Sequence, residues 1–183
     1  HALANGAPSG AGAHLVAETD ESDGSFLHLT PGIAVITNID PEHLDHYGTL
    51  EAVKEAFIGF ANRVPFYGLV VACLDHPNVQ DILPAIDKRI VTYGLAAQAD
   101  YRARNPKFSG LAMTFSVFRR GEALGDFEVR MPGIHNVLNA LATIAVADEL
   151  GVPHDKLREA LRTFGGVQRR FTIVGEHEGV TIV

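Results

Sequence analysis

The chain has 183 residues, of which 46% are hydrophobic and 20% charged, with a net charge of −7 when histidine is neutral. That balance fits one soluble domain with a sizeable core and excludes a disordered chain. The acidic excess argues against general nucleic-acid binding, and no run reaches the ~18 apolar residues of a membrane-spanning helix.

Residues 1–13, HALANGAPSGAGA, are rich in alanine and glycine and read as a loop-like or truncated lead-in without the plan of a signal peptide. Four short apolar runs follow: HLVAE, GIAVITNI, GLVVACL and RIVTYG. They are β-branched and nearly continuous, the pattern of strands buried on both faces of a parallel sheet. Cys73, the only cysteine, lies inside the third run and reads as a buried thiol, compatible with a reducing cytoplasm. Between the second and third runs, Leu50, Val53, Phe57 and Phe60 share one helical face, with Thr49 as N-cap. PNVQDILPAI reads as a short helix broken near Pro84.

Over 100–131 the pattern changes, and 111–131 reads as two strands joined around Arg120-Gly121-Glu122, a hairpin. Pro132 and Gly133 lead into a long helix over 134–150, which Gly151 and Pro153 end. HDKLREALRTF forms a second helix, and GGVQRRF turns the chain into a last strand. The expected fold is α/β: a mostly parallel sheet flanked by helices, with an antiparallel extension, as one domain over 14–183.

Four stretches could carry chemistry. In VAETDESDGS, carboxylates crowd beyond a run expected to be a strand, and ligands of α/β sheets gather beyond the carboxyl ends of strands. Glu18 is the candidate ligand there. For Asp20, Glu21 and Asp23 the alternative is a solvated turn with Asp20 or Ser22 as N-cap. An EF-hand fails, because no Glu stands at the twelfth loop position. TNIDPEHLDHYG follows the next strand and carries His43 and His46 at H-x-x-H spacing, without a third His or a Cys for zinc. A carboxylate and an imidazole suit magnesium shared with substrate phosphates better. In GIHNVLNALA, Asn136 and Asn139 lie three apart on one helix, where they either read an adenine edge or serve as cap and solvated surface. Arg169 and Arg170 follow a glycine turn and either hold phosphate or are simply solvated.

In this order and at about the right separations, AETDESDGSFLHL, TNIDPEHLDHYG, GIHNVLNALA and GGVQRRF resemble the central, ATP-binding domain of the Mur ligases, over residues 14–183. Thr19 departs from the family's usual alanine. The resemblance implies ATP and Mg2+ as cofactors, with Glu18 and His43 as metal ligands and as the catalytic pair. It implies Asn136 and Asn139 as adenine contacts, Arg170 as a nucleotide contact, and His135 as part of the same motif. Several relatives carry a carbamoylated lysine downstream of the metal-binding histidine. Phe57 stands at that place here, as expected of the branch that joins L-alanine to UDP-N-acetylmuramate through an acyl phosphate, in the cytoplasm. These small molecules are the implied partners, with neither nucleic acid nor membrane. No G-x-x-G-K-[ST] phosphate loop occurs in the chain, so the expectation is a central-domain portion, with N-terminal UDP-binding and C-terminal domains outside it. The alternatives are a sister ligase that recycles murein tripeptide, a folylpolyglutamate synthase-like relative, or a non-catalytic nucleotide-binding module.

Overall fold

A computed structural model describes residues 12–166 and the short strands 175–177 and 180–182. Six strands pair in chain order: β1 (Ile33–Ile36), β2 (Leu69–Cys73), β3 (Ile90–Gly94), β4 (Tyr101–Ser109), β5 (Ala112–Arg119) and β6 (Glu122–Val129). β3 and β4 are parallel, whereas β4–β5 and β5–β6 are antiparallel. The helices are α1 (Leu44–Tyr47), α2 (Leu50–Ala61), α3 (Pro77–Ile82), α4 (Ile134–Glu149) and α5 (His154–Thr163). The chain adopts the expected α/β fold with an antiparallel extension. Where one last strand was expected, β7 (Gly175–His177) and β8 (Val180–Ile182) form an antiparallel pair.

The chain packs as two compact units, one comprising residues up to Val70 with His76–Ile90, the other Val71–Asp75 with residues from Val91 onward. In the first, α2 begins where the sequence places it: the Thr49 hydroxyl accepts from the Ala52 amide at 3.2 Å. Its Val53, Phe60 and Ala61 are buried. Phe26 packs against Phe57 and Phe60 with ring centroids 5.3 and 5.2 Å apart. Pro77 opens α3, and Pro84 lies in the 3-10 turn Leu83–Ala85 that follows it. Proline fits a first helical turn but cannot donate to the next one.

One expected strand is not formed. HLVAE has no ladder partner among the described residues, and Leu15 and Val16 are 75% and 84% exposed. A strand persists only where its backbone rows find partners, whatever its β propensity.

In the second unit Val71, Ala72 and Cys73 are buried, as the continuous apolar run implies. The antiparallel part is larger than expected because β4 escapes a reading by hydrophobicity. YRARNPKFS alternates buried Tyr101 and Ala103 with outward arginines, and a register shift between Arg104 and Lys107 accommodates Pro106. The β5–β6 hairpin turns on Arg120 and Gly121, whose φ values of 49° and 91° are those of a two-residue turn matched to strand twist. Helix α4 packs on β4 and β5, with Val137, Leu141 and Ile144 fully buried, and α5 packs on β6.

Asp148, near the end of α4, joins these elements. Its carboxylate accepts from the Tyr101 hydroxyl, from Arg119 Nη1 at 2.8 Å and from His154 Nε2 at 3.0 Å. Burial alone would raise this carboxyl, but hydrogen bonds from Tyr101, His154 and Arg119 outweigh it and hold it below the ordinary value. Burial first, and then the bond to Asp148, push the Tyr101 phenol up.

Candidate functional site

In the first unit three polar segments converge: the turn at 20–24, the loop 37–43 after β1, and α1. Asp20 and Asp23 serve the turn itself. Asp20 Oδ1 accepts from the Ser22 amide and hydroxyl at 3.1 and 2.6 Å, and Asp23 Oδ1 from the Ser25 amide at 2.8 Å. Those bonds hold both carboxyls below their ordinary value. This is the solvated-turn reading, without the helix: a 3-10 turn, Ser25–His28, follows Gly24 instead.

Glu21 differs. Its backbone oxygen accepts from the Tyr47 hydroxyl at 2.7 Å, fastening the turn to α1. Burial, and then the negative charges of Glu21, Asp23 and Asp20, raise the Tyr47 phenol. The His46 ring sits edge-on to Tyr47 with centroids 4.7 Å apart. His46 is therefore packed beside the turn. His43 caps α1 in a left-handed conformation, φ 54° and ψ 33°, and its carbonyl accepts from the His46 and Tyr47 amides at 2.9 and 3.1 Å. That conformation is uncommon for a residue with a Cβ.

The result is a group of three possible ligands: Glu21, Glu42 and His43 offer atoms that all lie within 4.8 Å of one another. Two carboxylates and one imidazole form an oxygen-rich donor set suited to a hard divalent cation that also keeps water or phosphate ligands. His43 is in this group, as expected of a ligand; Glu18 is not a member of it. Glu18 lies in the exposed stretch before the turn, whereas Glu21, weighed from the sequence against a solvated turn, is in the group together with Glu42, which was not considered as a ligand. The adjacency of Glu42 to His43 was a signal. Glu21 stood out only with the turn, which redirects side chains that a continuing strand would have pointed elsewhere.

In the second unit Asn136 is buried, 7% exposed, in the first turn of α4. Its Nδ2 donates to Pro132 O at 2.7 Å and lies 3.0 Å from His135 Nε2, which leaves Oδ1 as the acceptor side of the amide. Asn139 and His135 are exposed on the same helix end. Gly133 precedes it with φ 102°, and a Cβ there would meet the His135 ring at 2.6 Å. The positive φ favours glycine there, and a Cβ would also make the exposed imidazole turn away. Arg169 and Arg170 lie outside the described residues.

Comparison with known proteins decides what this arrangement belongs to. A family model described as the Mur ligase middle domain matches residues 11–147. The chain belongs to the Mur ligase family. It is 66% identical over 182 residues to a protein of Sorangium cellulosum named UDP-N-acetylmuramate–L-alanine ligase, a match covering all of this chain and 39% of that relative. Among solved Mur ligases, the UDP-N-acetylmuramate–alanine ligase of Thermotoga maritima superposes with a TM-score of 0.74 at 32% identity, over 87% of this chain and 35% of that one. A second Mur ligase of that organism, MurF, solved in complex with ADP, shares the fold at a TM-score of 0.69 and 21% identity, over 84% of this chain and 35% of its own. The chain thus spans about two fifths of its named relative. Among the described residues no helix is long and apolar enough to cross a membrane.

Proposed function

We propose that the chain is the central, nucleotide-binding part of a cytoplasmic ATP-dependent ligase that joins L-alanine to UDP-N-acetylmuramate in peptidoglycan precursor synthesis. The observation that carries this reading is the Glu21–Glu42–His43 group beyond β1, in a chain 66% identical to a ligase of that name. Attack of the muramyl carboxylate on the γ-phosphorus of ATP gives an acyl phosphate and releases ADP. The amine of L-alanine then displaces phosphate to form the amide. Negative charge collects on the transferring phosphoryl group, so positioning and charge neutralisation dominate such a reaction.

His43 and Glu42, with Glu21 from the facing turn or Glu18 from the stretch before it, would hold Mg2+. The bound ion would supply positive charge at the phosphates. The tie from Tyr47 to Glu21 O sets the distance between turn and loop before any ligand arrives. On α4, Asn136 Oδ1 is the acceptor for an adenine amino group, while its Nδ2 is fixed by Pro132 O. Asn139 and His135 flank it, and Arg170 is the nucleotide contact in this reading.

The test uses a longer protein carrying this chain and its flanking sequence, supplied with ATP, Mg2+ and UDP-N-acetylmuramate. Formation of the alanyl product with L-alanine is expected, and His43→Ala should cut turnover by about a hundredfold or more. Product formation only with murein tripeptide in place of L-alanine would replace this reading by the recycling ligase. Undiminished turnover of the variant at saturating Mg2+ would remove His43 from the metal site.

A further inference from the structure

The loop that presents Glu42 and His43 is bracketed from the start of α3, by its N-cap His76 and by Asn78 in its first turn. Asn78 Nδ2 donates to Ile39 O at 2.8 Å, and His76 Nε2 lies 3.3 Å from Asp40 Oδ1. The other Asp40 oxygen accepts from Asn38 Nδ2 at 2.7 Å, and Asn38 Oδ1 in turn accepts from the Thr37 hydroxyl at 2.8 Å. Asp40 is therefore held on both oxygens, from two directions. Its neighbour Ile39 is fully buried, which pins the same point from the core side.

Only Pro41 separates this anchored point from Glu42. Proline fixes its own φ near −65° and restricts the preceding residue to extended conformations. The direction set at Ile39 and Asp40 is therefore transmitted to the two ligand-bearing residues with few free rotations between them. His43 stands at the end of this path in its left-handed conformation. Such a conformation persists in a non-glycine residue only where the surroundings over-determine it. His76 Nδ1 is buried with no hydrogen-bond partner among the described residues, so the ring's one polar contact is the one to Asp40.

We infer that His76 and Asn78 are positioning residues for the divalent-cation site on the neighbouring loop, acting through Asp40 and Ile39 rather than by touching the ion. This rests on the preceding reading, in which His43 is a ligand. Groups that orient metal ligands from outside the coordination sphere typically change metal affinity by about 10–100-fold.

Binding of Mn2+ alone, followed by the loss of its free-ion paramagnetic resonance signal, separates the two claims. In the parent chain Mn2+ binding should depend on His43, and His43→Ala should abolish it. Asn78→Ala and His76→Ala should each raise the Mn2+ Kd about tenfold, and His76→Gln, which keeps an N–H for Asp40, should restore most of the affinity. Lys54→Ala, which removes an ion pair with Asp81 elsewhere in the unit, should leave it unchanged. Thermal unfolding is measured alongside, and if Asn78→Ala does not fold, the two His76 variants decide. His43-dependent binding that survives unweakened in the Asn78 and His76 variants, even with a lowered melting temperature, would make the bracket purely structural and overturn the inference. Failure of His43→Ala to alter Mn2+ binding would instead overturn the metal reading, and the inference with it.

Discussion

Replacing Asp148 by asparagine keeps the shape of the side chain and removes its charge. In the native protein that carboxylate is 14% exposed and accepts from Tyr101, Arg119 and His154. An asparagine can accept on one oxygen only, so its NH2 group faces either Tyr101 and Arg119, both donors, or His154, whose Nε2 must then give up its proton to accept. A hydrogen bond to a charged group contributes ~1.5–3 kcal/mol, and one or two of the three are lost. Arg119 is 42% exposed, so its share is discounted for solvent screening. The expected loss is roughly 2–4 kcal/mol, which at a urea m-value of about 2 kcal/mol/M lowers the midpoint by roughly 1–2 M. The folded Asp148 carboxyl lies below its ordinary value of 3.8, so its stabilisation is complete above that pH and disappears as pH falls through the lowered folded value. Urea unfolding followed by circular dichroism should therefore show the widest gap between wild type and variant at neutral pH, narrowing below 3.8. A gap under about 1 kcal/mol at neutral pH, the level of an ordinary surface pair, or one that stays constant through the carboxylate range, refutes the reasoning.

Two further outcomes are expected. Gly94→Ala places a Cβ 2.3 Å from Asp75 Oδ1, the carboxylate that accepts from the Leu95 and Ala96 amides at 2.7 and 2.9 Å; stability should fall by about 2–4 kcal/mol, and a wild-type melting temperature would contradict the contact. Asn139→Ala in the longer, active protein should raise the KM for ATP about tenfold, the equivalent of ~1.4 kcal/mol of binding, with little change for the other two substrates; an equal rise for all three would mark a folding defect.

The elements whose local signals agree with their tertiary setting were legible in the sequence. Thr49 before an amphipathic run, Gly133 and Gly151 around α4, and Arg120-Gly121 between two alternating runs each named a boundary that the structure keeps. β4 was not legible, because its outward face carries arginines and a proline, and only Tyr101 and Ala103 face inward at its start. HLVAE erred in the other direction: strand chemistry without a partner strand. The same difference explains the site. His43 could be chosen from residue type and its place after β1. Grouping it with Glu21 depended on a tight turn at 20–24, held by Asp20, Asp23 and the Tyr47 tie, and side-chain directions within a turn follow no period.

The meander from β4 to β6 has a kinetic consequence. Its strands are joined by two-residue links, Gly110–Leu111 and Arg120–Gly121, so every pairing within it closes a loop of modest length. Loop-closure entropy is small for such contacts, and local pairings form ahead of those between distant segments. The segment 101–129 should therefore organise early and give α4 a surface to condense on, before the loop 37–43 finds its bracket at His76 and Asn78. Pulse-labelling hydrogen exchange during refolding should protect the amides of β5 first. Earlier protection of Val79 or Gln80, whose amides bond to His76 O, would reverse that order. The sheet on which the Asn136-bearing helix condenses would then be ready before the loop that carries His43.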